Sequence, residues 1–217
     1  MKTAAVIVVV LALVWLWTNH RRATTEHRLA GVASQLAGRQ VGVRCQGFWA
    51  SMLDIGQRTG EVDFPPDRPP DHMFLVRSVC GRLGRFVGGG SHRNLDCLAA
   101  IDWRAWTLES GFDGECERKA RGDVEAINTL AHESTHLRGF TSEAQAQCYA
   151  IQADAWTAMQ LGTTELQAEA VARFALALQP ALPGEYQSSE CRAGGSLDLA
   201  PLTAAFPSEV PPAIPAG

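Results

Sequence analysis

Residues 132–136 read HESTH, two histidines four apart with a glutamate beside the first. On a helix this spacing projects both imidazoles from one face, about one turn apart. Two ring nitrogens can then meet one Zn²⁺ at about 2.0–2.1 Å without distorting the backbone. Glu133 falls close to a water in the open position of such a metal rather than to the metal itself, which is the place of a general base. The chemistry that His132, Glu133 and His136 point to is metal-assisted hydrolysis. The plainer alternative is a pair of solvated histidines on an exposed helix face.

A catalytic zinc takes a third protein ligand and keeps its fourth position open. The longer pattern H-E-x-x-H-x-x-G-x-x-H continues through Gly139, but its third histidine falls at Ser142, a poor zinc ligand. Asp154 is a more distant acid on the following helix. Only GFTS separates the two helices, so the second starts beside the end of the first and runs back along it. That carries residue 154 about 16 Å up the axis from residue 143, away from the histidines. Glu143, in the first turn, is the acid that begins next to them; its other explanation is a carboxylate favoured at a helix N-terminus. Hydrolysis also needs a donor for a developing oxyanion, and His92, Tyr149 and Tyr186 are the residues to consider.

The elements that must position these groups are legible in part. Asp123 is placed to cap a helix running to Arg138, with Val124, Ile127 and Ala131 on its core side and Gly139 ending it. Ser142 with Gln145, and Thr164 with Gln167, have the spacing of capping boxes that open two further helices. In the second of these, Leu166, Ala170, Phe174 and Leu178 form the expected inner stripe, and Pro180 and Pro183 close it. Upstream, Val41, Val43 and Cys45 alternate as in a strand, and a weaker strand signal surrounds Val62. The strand at 41–45 is a candidate site for receiving an extended peptide by edge addition. PPDRPPD over 65–71 stops regular structure; Asp71 then caps a helix with Leu75, Val79, Leu83 and Phe86 inward, which VGGGS ends. A helix over about 94–108, with Leu95, Leu98, Ala105 and Trp106 inward, follows. Residues 24–40 form a short amphipathic helix through Leu29, Val32 and Leu36.

Composition sets the surroundings. With 19 basic and 23 acidic residues among 217, the formal charge of -4 provides no positive field for nucleic acid, and no such partner is expected. An unbroken apolar run from Ala4 to Trp17 opens the chain after Lys2. Its helical length of about 21 Å is short of the roughly 30 Å hydrocarbon core, as in a signal peptide. Against cleavage, no A-x-A site follows closely, and Trp15 and Trp17 sit where an interfacial belt places aromatics, as in an anchor. Six cysteines behind such a segment, Cys45, Cys80, Cys97, Cys116, Cys148 and Cys191, point to disulfides and an oxidising compartment. Their pairing is open. From about Ser196 the Ala- and Pro-rich tail has no period and is expected to be loosely ordered.

HESTH followed by SEAQAQCYA resembles the gluzincins, zinc peptidases with two histidines and a glutamate, and in particular their short-spacer members. It also resembles a set of bacterial exported or membrane proteins with an HE..HLRG...EA...CYA run and a later EY.S.EC..GG.LDL run, present here as EYQSSECRAGGSLDL. The likeness spans roughly residues 124–200. It implies that His132, His136 and Glu143 bind Zn²⁺, that Glu133 is the catalytic base and that the substrate is a peptide or protein. The spacer between Gly139 and Glu143 is shorter than in well-studied gluzincins. The expectation is a mainly helical α+β fold: an anchor or signal at 1–22, a zincin-like domain at 23–195, whose active-site helix precedes a glutamate-bearing helix and which includes a small β element, and a tail at 196–217. The protein is expected to be membrane-anchored or secreted. The contrasting expectation is a membrane-tethered, disulfide-braced binding module with a structural or vestigial zinc site.

Overall fold

The alternation of Val41, Val43 and Cys45 is realised in β1 (Gly42–Cys45), where Val43 and Cys45 are buried and Arg44 faces out. The computed structural model describes residues 2–47, 59–89, 92–103, 105, 114–201 and 205–207. β2 (Gly60–Val62) and β3 (His72–Leu75) complete a sheet in the order β1-β3-β2, parallel between β1 and β3 and antiparallel between β3 and β2. The helix expected from Asp71 therefore starts later. Residues 72–75 form the central strand, with Met73 and Leu75 fully buried, and α2 (Arg77–Val87) begins after Val76 with no side-chain cap. A strand here satisfies its backbone groups on both sides, a gain that depends on β1 and β2 and not on local periodicity. The Asp71 carboxylate instead accepts from His72 Nδ1 at 2.6 Å. Val79, Leu83 and Phe86 face inward from α2 as expected.

The opening apolar run and the amphipathic stretch after it form one helix, α1 (Lys2–Ala37). Its second half enters the core through Leu29, Val32, Ala33 and Leu36. It also takes up the outer edge of β1. Ser34 Oγ bonds both the N–H and the C=O of Val41, the Glu26 carboxylate accepts the Cys45 N–H at 2.8 Å, and Arg22 donates to the Cys45 carbonyl. That edge is not available for peptide addition. In the first half of α1, the described large apolar side chains from Val6 to Trp17 are 51–64% exposed. Among the described residues no helix is long and apolar enough to cross a membrane.

After a 3₁₀ turn (Arg93–Leu95), α3 covers only Asp96–Ala99. Leu95 and Leu98 are buried as expected, but Ala105 is exposed and Trp106 lies outside the described residues. The chain turns at Asp102, whose carbonyl accepts from the Ala105 N–H, while Trp103 Nε1 donates to the Leu98 carbonyl.

α4 (Gly114–Leu137) is the central element, touching β2 and β3, α1 and α2, and the two helices that follow. It starts well before Asp123, which is not a cap. Asp123 is buried and accepts from Arg82, Arg85 and Asn94, so its charge is paired inside the fold rather than placed at a helix end. Gly139, with φ of 113°, ends the helix in a backbone conformation that side-chain-bearing residues rarely adopt. α5 (Glu143–Gln160) opens at Ser142, whose hydroxyl accepts from the Gln145 N–H, and α6 (Glu165–Leu178) opens at a full capping box of Thr164 and Gln167. The expected stripe on α6 holds at Ala170 and Phe174, which are buried, and fails at Leu166. Gln167 turns inward to bond Asp96, and Ala168, Val171 and Phe174 are buried, leaving Leu166 68% exposed.

Three disulfides brace these parts: Cys45–Cys80 joins β1 to α2, Cys97–Cys116 joins α3 to α4, and Cys148–Cys191 ties α5 to the segment after α6. They place the protein in an oxidising, extracytoplasmic compartment. The start of the tail is ordered by the same region. Gln152, buried on α5, donates to the Leu197 carbonyl and accepts from the Leu199 N–H, both at 2.8 Å, and Leu197 and Ala200 are buried. Thiol titration of denatured, unreduced protein is expected to find no free thiol, and six after reduction. Losing Cys148–Cys191 alone should cost about 4 kcal/mol by loop closure, read as a lower unfolding midpoint; an unchanged midpoint would show that the tail does not depend on it. The result is a mainly helical α+β fold with one small sheet.

Candidate metal centre

From Thr129 to Leu137 every residue of α4 is buried. A helix enclosed on all sides normally carries apolar residues throughout, so His132, Glu133 and His136 stand out there, and solvated histidines are excluded. Because α4 and α5 are joined by so short a turn, the first residue of α5 arrives beside the last turn of α4. Glu143 Oε2 lies 3.0 Å from His132 Nε2 and 3.3 Å from His136 Nε2, and the two ring nitrogens are 2.9 Å apart. Among the described residues this is the one group of histidine, cysteine or acidic side chains arranged to hold a metal ion.

These donors fit zinc. Ligands at 2.0–2.1 Å from a tetrahedral centre are separated by about 3.3 Å, close to what the three atoms show. The donor set, two imidazoles and a carboxylate, is of the kind found in catalytic zinc sites. His136 Nδ1 donates to the Phe140 carbonyl at 2.7 Å, which leaves Nε2 with its lone pair towards the cluster. His132 Nδ1 is buried and closes no hydrogen bond of normal geometry. The Glu143 side chain is 38% exposed and forms the open side of the group.

Protonation also suits metal binding. Burial pushes the pKa of His132 below that of a free histidine, against the opposing hydrogen bond from Glu143. The hydrogen bond from His132 holds Glu143 down at about 2, outweighing the effect of burial. Both groups are therefore deprotonated at neutral pH, as ligands must be. For the metal-free protein the sign is clear: below the ordinary histidine value of 6.5 the unfolded chain takes up a proton that folded His132 resists. Chelator-treated protein should lose thermal stability as the pH falls below 6.5, and a His132→Gln variant should lose less.

Glu133 is buried one residue away, and β2 passes directly against it. A Cβ added at Gly60 would lie 2.6 Å from Glu133 Oε1 and 2.7 Å from its Cγ, closer than real atoms approach. Thr129 donates to the Thr59 hydroxyl at 3.3 Å, fastening the start of β2 to α4. On the reading of Glu133 as a general base beside a bound metal, the expected result of Gly60→Ala is a displaced Glu133 with the three-donor group intact: zinc content unchanged, hydrolysis lowered. Full hydrolysis by that variant would show that the Glu133 position is not critical.

The other residues singled out from the sequence separate cleanly. Ser142 is the cap of α5. Asp154 is fully buried at the far end of the α4–α5 contact, where it accepts from Asn128 at 2.9 Å. His92 stacks on Phe86 with ring centroids 4.9 Å apart, and Tyr149 packs on Phe140 at 5.0 Å within the core. Tyr186 does reach the site: its ring lies 5.7 Å from that of His132. Phe64, just past β2, sits edge-on to His136 at 5.8 Å and is 44% exposed. Neither Gly60 nor Phe64 is apparent from spacing. The only sequence signal is a glycine opening a strand, which marks close approach of another group.

Fold and site together define a disulfide-braced, mainly helical α+β domain with a His–His–Glu cluster on a helix hairpin. No protein-family model, no curated protein and no solved structure matches the chain.

Proposed function

We propose that the protein is a zinc-dependent peptidase of the gluzincin kind, with His132, His136 and Glu143 as metal ligands and Glu133 as general base. The observation that carries this reading is the meeting of three donor atoms within 2.9–3.3 Å of one another, beside a buried glutamate. Zinc bound there supplies a water acidified towards a pKa of about 7 and a Lewis acid that polarises the scissile carbonyl. Glu133 would take up a proton as water attacks the carbonyl and return it to the leaving amine. Of the three donors considered for the oxyanion, we favour Tyr186, whose ring lies 5.7 Å from that of His132. With the edge of β1 closed by α1, an extended substrate would add along β2, which lies against Glu133. The exposed apolar half of α1 suits attachment to a membrane; fractionation of the full-length protein with membranes, and its release on deleting that half, tests the anchor.

One observation favours the contrasting reading of a binding module with a structural or vestigial zinc site: Glu133 is almost enclosed, with β2 packed over its carboxylate. Two measurements on purified protein decide. One zinc per chain together with hydrolysis of a casein-type substrate supports the peptidase; one zinc without hydrolysis supports a binding module with a structural site; no zinc removes the peptidase and leaves a binding module with a vestigial site.

A further inference from the structure

The facing sides of α4 and α5 carry a continuous line of polar side chains. On α4, Asn128, His132 and His136 recur every four residues; on α5, Glu143, Gln147 and Asp154 follow at intervals of four and seven. Each set therefore projects from one face. Because the helices run back along each other, the two sets interlock. Glu143 meets both histidines, Gln147 Nε2 donates to Asn128 Oδ1 at 3.0 Å, and Asn128 Nδ2 donates to Asp154 Oδ2 at 2.9 Å. Gln147 and Asp154 are buried, the latter completely. The gap in the line is His132 Nδ1, which is buried without a hydrogen bond of normal geometry. Gln147 lies one turn past Glu143, which meets His132, and bonds Asn128, one turn before His132, so its amide stands next to this ring.

The amide orientations follow from the end of the line. Asp154 Oδ2 accepts from Asn128 whether or not its other oxygen carries a proton, so it commits the Asn128 nitrogen and leaves the Asn128 oxygen to Gln147. That in turn commits the Gln147 nitrogen and leaves its oxygen to face the histidine. His136 has a backbone carbonyl to set its tautomer; among the described residues none does so for His132. We infer that Asp154, Asn128 and Gln147 form a hydrogen-bond relay that positions His132, holding its Nδ1 protonated and its Nε2 lone pair towards the metal. The inference rests on the zinc reading above and assigns a role to Asp154, an acid too far along α5 to be a ligand.

The test is zinc affinity by chelator competition, read beside the His132 ring N–H proton in NMR spectra of zinc-loaded protein. Gln147→Leu keeps the bulk but removes the acceptor: affinity should fall about 10- to 100-fold, and the ring N–H should exchange rapidly with water. Gln147→Glu restores an acceptor and should return both affinity and a protected N–H. Asn128→Leu frees the Gln147 amide to turn, so it should lower affinity as well, and it serves if Gln147→Leu fails to fold by circular dichroism. The relay is overturned if Gln147→Leu, or Asn128→Leu in its place, binds zinc like the wild type with a protected N–H, or if Gln147→Glu is no better than Gln147→Leu. Wild-type protein that binds no zinc would instead remove the metal reading itself, a separate and recognisable outcome.

Discussion

Glu133→Gln is expected to lower kcat/KM on a casein-type substrate by about 10²- to 10⁴-fold, the usual contribution of a positioned general base, while zinc content stays at the wild-type level. That range corresponds to about 2.7–5.5 kcal/mol of transition-state stabilisation. Glutamine has the shape of glutamate, so it should fill the same space beside Gly60, where the carboxylate is closely packed. It lacks a basic oxygen, and the proton of the attacking water then has no nearby acceptor. The proposed metal ligands are a separate group of atoms, and the substitution leaves the contacts of Glu143 with His132 and His136 in place. Unchanged turnover would refute the catalytic role of Glu133. Lost zinc would show that Glu133 belongs to the coordination shell instead.

Glu143→Ala should weaken zinc binding by more than the 10- to 100-fold that follows loss of even an outer-shell partner, that is, by more than about 1.4–2.7 kcal/mol. Its carboxylate is the only anionic donor in the group, and the two neutral imidazoles left behind offer an incomplete set. Asp154→Ala is the matched control. It removes another acid, one methylene shorter, from the same helix, but one that meets Asn128 rather than the histidines. Its effect should be well below that of Glu143→Ala, because it acts on His132 only through two amide side chains. Dialysis against a zinc buffer, followed by metal analysis, compares the two directly. If Asp154→Ala emerged stripped and Glu143→Ala fully loaded, the assignment of the third ligand would be reversed.

Several parts of this molecule are determined by residues close together in the chain. HESTH on a helix, the stop at Gly139 and the caps at Ser142 and Thr164 all rest on contacts within about one helical turn. The placement of Glu143 beside His132 and His136 belongs with them, since a turn of four residues leaves a following helix little freedom. The β1 strand, likewise, follows from the alternation of Val41, Val43 and Cys45.

Other assignments depend on partners far along the chain. Residues 72–75 suit a helix stripe as well as a strand, and they become a strand because β1 and β2 stand on either side. Asp123 has the look of a cap, yet it sits inside α4 because Arg82, Arg85 and Asn94 converge on its charge. Leu166 matches the apolar period of α6 but points outward because Gln167 is drawn in to Asp96. The six cysteines admit many pairings, and only the approach of β1 to α2, of α3 to α4 and of α5 to the tail selects among them. The same holds for Gly60 against Glu133 and for the line from Asp154 to His132. Local periodicity and capping energies act within a turn, whereas hydrogen-bond satisfaction, charge pairing and close packing are settled only when distant segments meet.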